Sequence, residues 1–371
     1  VSRVVYHKGF DILLESMNEL LEEDIQFIAL GVGEQHYINR MKYLKEKYVD
    51  VADTIETDGM GSLMATLGNQ GPRIMAVGHM DEVGFMVCGI APNGMIKLMP
   101  IGGINPDVYL SQNMHIVLDD KTLIKGIIGV LPPHLSKGDR KPTSVEDLIL
   151  DIGCDSKAQA IEMGVKIGQQ VVSENDFYFT KDNKKIVSKA WDDRFGVGMV
   201  LEIAEEVAKM KHNNKIILGA TVQEEVGLRG ARVASQMIEP DLFITIDVSP
   251  ADDFMRGPDA NAALGKGFLI RYFDPGIIMN RSLHDYFVET SNKYNIPSQE
   301  FRSAGGTDAA MAQYAGKGIL STTIGLPGRY IHTTAAMVHV DDMEAVKRMA
   351  LAIIETFDQK MFEKIKNGYE D

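Results

Sequence analysis

The sequence is short of cysteine, of positive charge and of long apolar runs. Cys88 and Cys154 are its two cysteines, too few for a disulfide framework, which points to a reducing compartment. No apolar stretch approaches the roughly 20 residues of a membrane span. The opening Val1-Ser2-Arg3 carries no charged-then-apolar leader pattern, so a cytoplasmic protein with no membrane partner is expected. Lysine and arginine number 38 against 52 aspartates and glutamates, for a net charge of -14. Such a surface repels nucleic acid and anionic membranes, which leaves a small molecule or a peptide as the expected partner. Proline is sparse at 13, and the 35 glycines follow no collagen-like period. What is there, 45% hydrophobic and 24% charged residues, is the composition of an ordinary globular protein. The chain has 371 residues, whereas single cores stop growing at roughly 250 to 300 residues. More than one folding unit is expected.

From Val51 onward, short β-rich runs alternate with helical stretches, which is the α/β pattern. Ile74–Val77 reads as a buried strand delivering Gly78-His79-Met80-Asp81 at its end. Lys215–Val222 is a second strand, ending at Gln223-Glu224-Glu225, and Leu242–Ile246 a third, ending at Asp247. Reactive groups gather at the carboxyl ends of strands in open α/β sheets, so these clusters are expected on one edge of a single sheet. The stretch 90–178 differs in texture, with turn signals (APNG, IGGINP, LPPH) and β-like runs at Met114–Leu118 and Leu123–Val130. It reads as a mainly β domain inserted into a catalytic domain made of 51–89 and 179–371. A long helix is expected over Asp193–Met210, with Val197, Val200, Leu201, Ala204 and Val207 on one face, and another over Asp342–Ile365.

The chemistry-bearing residues are individually ambiguous. His79 and Asp81 stand two apart and share a side of an extended backbone, which suits a structural pair or a metal ligand with its partner. Asp192-Asp193 opens the predicted helix, where acids cap and oppose the macrodipole or ligate. Glu224-Glu225 reads as a solvated acidic turn, or as a ligand beside a general base, since adjacent residues at a strand end project differently. Asp247 follows the apolar run LFITI, and burying a carboxylate there requires a salt bridge or a metal. His332 alone would be an ordinary packed or surface histidine. Together, two imidazoles and several carboxylates form the nitrogen and oxygen donor set suited to zinc, cobalt or manganese.

Six segments then fall in one order: Glu56-Thr57-Asp58-Gly59, GHMDEVGFMV at 78–87, AWDDRFG at 190–196, QEEVGLRGA at 223–231, IDVSPADD at 246–253, and SAGGTDAA at 303–310 followed by RYIHT. From about Val51 to its end the chain resembles the glutamyl and deblocking (tetrahedral) aminopeptidases, a family of dinuclear metallopeptidases. The resemblance implies an α/β fold, with a mixed-sheet catalytic domain, helices on both faces and a PDZ-like insert. It implies two divalent ions per chain, zinc or cobalt, with Asp192 bridging, His79 and Asp247 completing one site, and Glu225 and His332 the other. Glu224 would be the general base, with Asp81 orienting His79. Gly306, Thr307 and Asp308 are candidate substrate contacts, because a glycine pair permits close backbone approach, although the same residues suit a helix cap. The family implies peptide substrates and a homo-oligomer, up to a dodecamer. Two other readings stand beside it: a related dinuclear deacylase or carboxypeptidase, and a peptide-binding scaffold with a vestigial metal site.

Residues 1–50 read differently. Arg3 through Glu15 and the run Phe27–Glu34 with Tyr37 resemble the opening of the C-terminal domain of bacterial glycogen synthases. That resemblance implies diphosphate-binding roles for Arg3 and Lys8, but the remaining segments of a transferase site are missing from the chain. A natural fusion, a chimera and a misjoined frame all fit. In another reading, Gly31–Tyr48 is the peptidase's own first helix, with Ile38, Met41, Tyr43, Leu44 and Tyr48 on its apolar face.

Overall fold

A computed structural model describes residues 45–132, 134–135 and 143–368. The glycogen-synthase-like segment, including Arg3 and Lys8, lies outside the described residues, as do Ile38, Met41, Tyr43 and Leu44. Tyr48 is described: it is buried in the main core.

Among the described residues, twelve strands form one mixed sheet. Its centre is parallel. β3 (Arg73–His79) lies between β12 (Lys215–Thr221) and β13 (Leu242–Pro250), and β13 pairs in turn with β17 (Leu320–Arg329). Antiparallel strands flank this centre: β1 (Thr54–Thr57) and β2 (Leu63–Leu67) on one side, β18 (Ala336–His339), β11 (Lys185–Ser188) and β10 (Tyr178–Phe179) on the other. β14 (Phe268–Asp274), β15 (Ile277–Ile278) and β16 (Ser298–Arg302) branch from β17. The central strands are near-continuous apolar runs because helices cover both faces. Register places His79 opposite Thr221, so the expected convergence at one sheet edge is present.

The helix at Trp191–Val207 buries Val197, Val200, Leu201, Ala204 and Val207. It crosses β3 and β13 at backbone contact distance. A Cβ added at Gly78 would lie 2.3 Å from the Gly196 carbonyl carbon, and one added at Gly196 would lie 2.2 Å from the Ile246 carbonyl oxygen. These two glycines are the reason the helix start reaches the sheet edge. In place of the single helix expected over Asp342–Ile365, two occur, Val340–Thr356 and Gln359–Asn367. Phe357 turns into the core, and Asp358 caps the second helix by accepting from the Met361 N–H at 2.8 Å. Cap chemistry overrides the apolar period here.

Six strands form a closed antiparallel barrel between β3 and β10: β4 (Gly84–Ile90), β5 (Ile96–Ile101), β6 (Asn113–Val117), β7 (Leu123–Ile128), β8 (Ile149–Asp151) and β9 (Gln170–Ser173). Its interior has its own apolar cluster, with Phe85 and Tyr109 in edge contact at 4.9 Å. The barrel's first strand begins ahead of residue 90. β3 ends at His79 and β4 starts at Gly84, so the chain enters the barrel almost directly from the sheet edge; a Cβ added at Gly84 would lie 3.0 Å from the Val171 carbonyl oxygen.

Gly78→Ala should force the helix at Trp191–Val207 off the sheet and cost roughly 1–3 kcal/mol of stability by overpacking. Urea unfolding checks this; an unchanged midpoint would show that the backbone contact is not limiting.

Candidate metal centre

The carboxyl edge of the parallel centre collects the acids and imidazoles picked out in the sequence. His79 ends β3, Glu224 and Glu225 follow β12, Asp247 lies in β13, Asp192 starts the helix, and His332 stands in the loop after β17. His79 Nε2 is 3.0 Å from Asp192 Oδ1, 3.8 Å from Glu224 Oε2 and 3.9 Å from Asp247 Oδ1. His332 Nε2 is 3.4 Å from Asp192 Oδ2 and 3.7 Å from Glu225 Oε2. Two of the donor groups that could each hold one cation therefore share Asp192: His79, Asp192 and Asp247 form one, Asp192, Glu225 and His332 the other. The donors fit divalent ions on a second ground. Glu225 Oε1 and Asp247 Oδ1 are buried without a hydrogen-bond partner, a costly arrangement for carboxylate oxygens unless an ion takes them up.

The neighbours that set this geometry come from the same motifs. The Asp81 carboxylate accepts from the main-chain N–H groups of both Glu224 and Glu225, each at 3.0 Å. His79 Nδ1 donates to the Asp81 main-chain carbonyl at 2.9 Å, which leaves Nε2 to the cluster. Asp193 turns the other way from Asp192: it accepts from the N–H of His79 at 3.0 Å and of Gly196 at 2.8 Å. The adjacent acids thus divide capping and site-facing work. Behind them Glu82 takes Lys189 at 2.5 Å and Arg194 at 2.9 Å, all buried.

Gly306 lines the cavity of about 480 Å³ beside the cluster, together with Gly305, Leu228, Ile331 and Arg271. Thr307 and Asp308 are buried outside that lining. Thr307 Oγ1 meets Thr323 Oγ1 at 2.8 Å, and Asp308 accepts from Thr221 Oγ1 at 2.5 Å. Sequence reasoning named Asp193 only as half of an acidic pair at a helix start, and did not single out Gly103 or Arg271. Gly103 and Arg271 act through a main-chain carbonyl and through cavity position, which no motif spells out.

Crowding governs the electrostatics. Burial, then Asp192, pushes the Glu225 carboxyl to about 8, and burial with Asp192 pushes Asp247 to about 7. Burial, with Asp247 and Glu225 adding to it, holds Glu224 well above the ordinary carboxylate value. Burial opposes a charged His79, yet Glu224, Asp192, Asp193 and Asp81 outweigh it and raise that imidazole. For His332 burial is likewise outweighed, by Asp192 and Glu225, and the ring rises to about 10. Asp192 moves down, because the two histidines outweigh its burial.

Imidazoles and carboxylates converging at the carboxyl edge of a mixed α/β sheet define a metal-dependent hydrolase. The comparisons with known proteins agree. Residues 61–349 match the model of the M42 glutamyl aminopeptidase family, and the chain belongs to that family. It is 38% identical over 331 residues to the glutamyl aminopeptidase of Lactococcus lactis, covering 88% of this chain and 93% of that protein. The TET aminopeptidase of a marine sediment archaeon of the Thaumarchaeota superimposes with a TM-score of 0.87 at 30% identity, covering 95% of this chain and 99% of that one. The Pyrococcus horikoshii TET1 peptidase, described as able to assemble into a tetrahedron or a large octahedral shell, gives 0.80 at 27% identity over 93% and 99%. A short match of 50 residues, 42% identical, links 14% of the chain to 10% of a glycogen synthase from Clostridium novyi. The chain is therefore a peptidase of the aminopeptidase class, with a minor segment similar to part of another enzyme. No helix among the described residues is long and apolar enough to cross a membrane.

Glu225 and Asp247 bind a proton more tightly folded than unfolded, so the stability they contribute falls as pH rises from about 4 through about 8. The raised histidines act in the same direction, while lowered Asp192 is already ionised in both states above about pH 5. The metal-free protein should therefore melt at a lower temperature at about pH 8 than at about pH 5.5, and added zinc should remove most of the difference. Scanning calorimetry with chelator and with zinc checks this; a metal-free melting temperature that climbs with pH would contradict it.

Proposed function

We propose that this site removes single residues from the N-terminus of peptides, using two divalent cations per chain, zinc or cobalt. The observation that carries the reading is Asp192, whose two oxygens each face a different imidazole, Oδ1 that of His79 and Oδ2 that of His332. His79 and Asp247 would complete one site, and Glu225 and His332 the other. When bound, such a pair of cations acidifies water, polarises a scissile carbonyl and offsets developing charge. Glu224 supplies the proton traffic. Its carboxyl lines the cavity yet is buried enough to have a raised pKa, which suits a group that takes a proton from the attacking water and delivers it to the leaving amine. Asp81 keeps Glu224 and Glu225 pointing apart through their main-chain N–H groups.

Gly306 would bring its backbone to the substrate, while Thr307 and Asp308 would support the loop from below. Among the described residues lining the cavity, Arg271 is the one lysine or arginine, and the Lactococcus relative is named for glutamyl substrates. We read the preferred N-terminal residue as acidic. In this reading the insert expected at 90–178 is a separate PDZ-like domain whose strands run from Gly84 to Ser173, supported by the barrel's own core, and the sheet on either side of it is the catalytic domain. The chain assembles as a homo-oligomer, up to the dodecameric tetrahedron of its Pyrococcus neighbours in this reading. Two free cysteines accord with a cytoplasmic setting.

Glu224→Gln should lower kcat by roughly 10²- to 10⁴-fold while leaving metal content unchanged, and chelation should abolish activity in the unaltered protein. Release of residues only from acylated substrates would sink the aminopeptidase reading. Among aminoacyl anilides, the glutamyl compound should have a higher kcat/KM than the lysyl one; the reverse order would refute the role given to Arg271.

A further inference from the structure

The inserted barrel meets the ligand cluster at one turn. After β5 the chain passes through Gly102, with φ +80°, and Gly103. The Gly103 carbonyl accepts from His332 Nδ1 at 2.6 Å. A carbonyl can only accept, so the proton sits on Nδ1, and Nε2 is the nitrogen turned toward Asp192 and Glu225. Gly102 packs on the other ligand of the same group. A Cβ there would lie 3.1 Å from Glu225 Oε2 and 2.9 Å from Val83 Cγ1, so glycine is required both for the positive φ and for the space. His332 itself has φ +59°, a conformation that a side-chain-bearing residue keeps only when its surroundings hold it. The other ligand group has no such dependence: His79 is held by the Asp81 carbonyl and Asp247 by its place in β13.

We propose that the Gly102-Gly103 turn of the inserted barrel is the positioning element of the cation site formed by Glu225 and His332, so that the seating of the barrel sets the occupancy of this site alone. The site of His79 and Asp247 is built by the catalytic sheet without it. This rests on the two-cation reading above. It gives the insert a role in the metal centre itself, and it makes the second cation the one that responds to movement of the barrel.

Zinc titration against a chromophoric chelator, read as stoichiometry and stepwise affinity and not as activity, tests the proposal on the full chain. The unaltered protein should bind two ions. Gly102→Ala should weaken one step by roughly 10- to 100-fold, the usual effect of losing a group that orients a metal ligand, and leave the other within about 3-fold. His332→Ala should remove the same step, and the double variant should be no worse than His332→Ala, as expected for residues acting through one another. Asn105→Ala is an exposed change that deletes the cap bond to the Asp107 N–H just after the turn. It should weaken that step too, even if Gly102→Ala folds poorly. Both steps unchanged in Gly102→Ala and Asn105→Ala, or both steps weakened equally, would overturn the proposal. Fewer than two ions in the unaltered protein would instead overturn the two-cation reading on which it rests.

Discussion

Carboxylates crowded at a buried sheet edge cannot all be anions without cations beside them. Asp192, Glu224, Glu225 and Asp247 surround His79 and His332 within a few ångströms. In the absence of ions, burial and mutual repulsion drive most of these acids toward their protonated forms. The architecture around them can be read as the set of constraints that keeps this unfavourable cluster assembled. Asp81 pins two main-chain N–H groups, Asp193 ties the helix start to β3, and Gly78 and Gly196 remove the side chains that would hold helix and sheet apart.

That arrangement links fold and chemistry. A parallel sheet centre brings donors from three neighbouring strands level, two at or just past strand ends and Asp247 within β13, and a helix packed at backbone distance adds a fourth from a different direction. The fifth comes from the loop after β17, where His332 leans on the barrel through Gly103. Two of the five donors therefore depend on contacts across the junction between the catalytic sheet and its insert, and three do not. This asymmetry gives the two halves of the cluster different mechanical support even though they share Asp192.

Much of this was legible beforehand because strand periodicity and acid placement are local properties. The apolar runs that precede His79, Glu225 and Asp247 are short, so their role as central strands could be read directly, although β13 continues past Asp247 to Pro250. The change of texture near residue 90 marked the insert, although β4 begins earlier, at Gly84, where the apolar run GFMV reads equally well as sheet or barrel. The helix break at Phe357-Asp358 was hidden, since the apolar period continues across it while a cap interrupts the backbone.

By itself the sequence determined the kinds of donor present, their positions at the ends of β runs, and a net charge that disfavours nucleic acid. Those follow from side-chain chemistry and from periods of two and 3.6 residues, which act over a few neighbours. Only the tertiary structure decided that Asp192 faces both imidazoles while Asp193 faces backbone, that Asp308 is buried outside the cavity lining while Gly306 lines it, and that a barrel carbonyl holds His332. Each of these depends on groups far apart in the chain meeting at hydrogen-bond distance, and a main-chain carbonyl has the same chemistry at every residue until the fold gives it a neighbour.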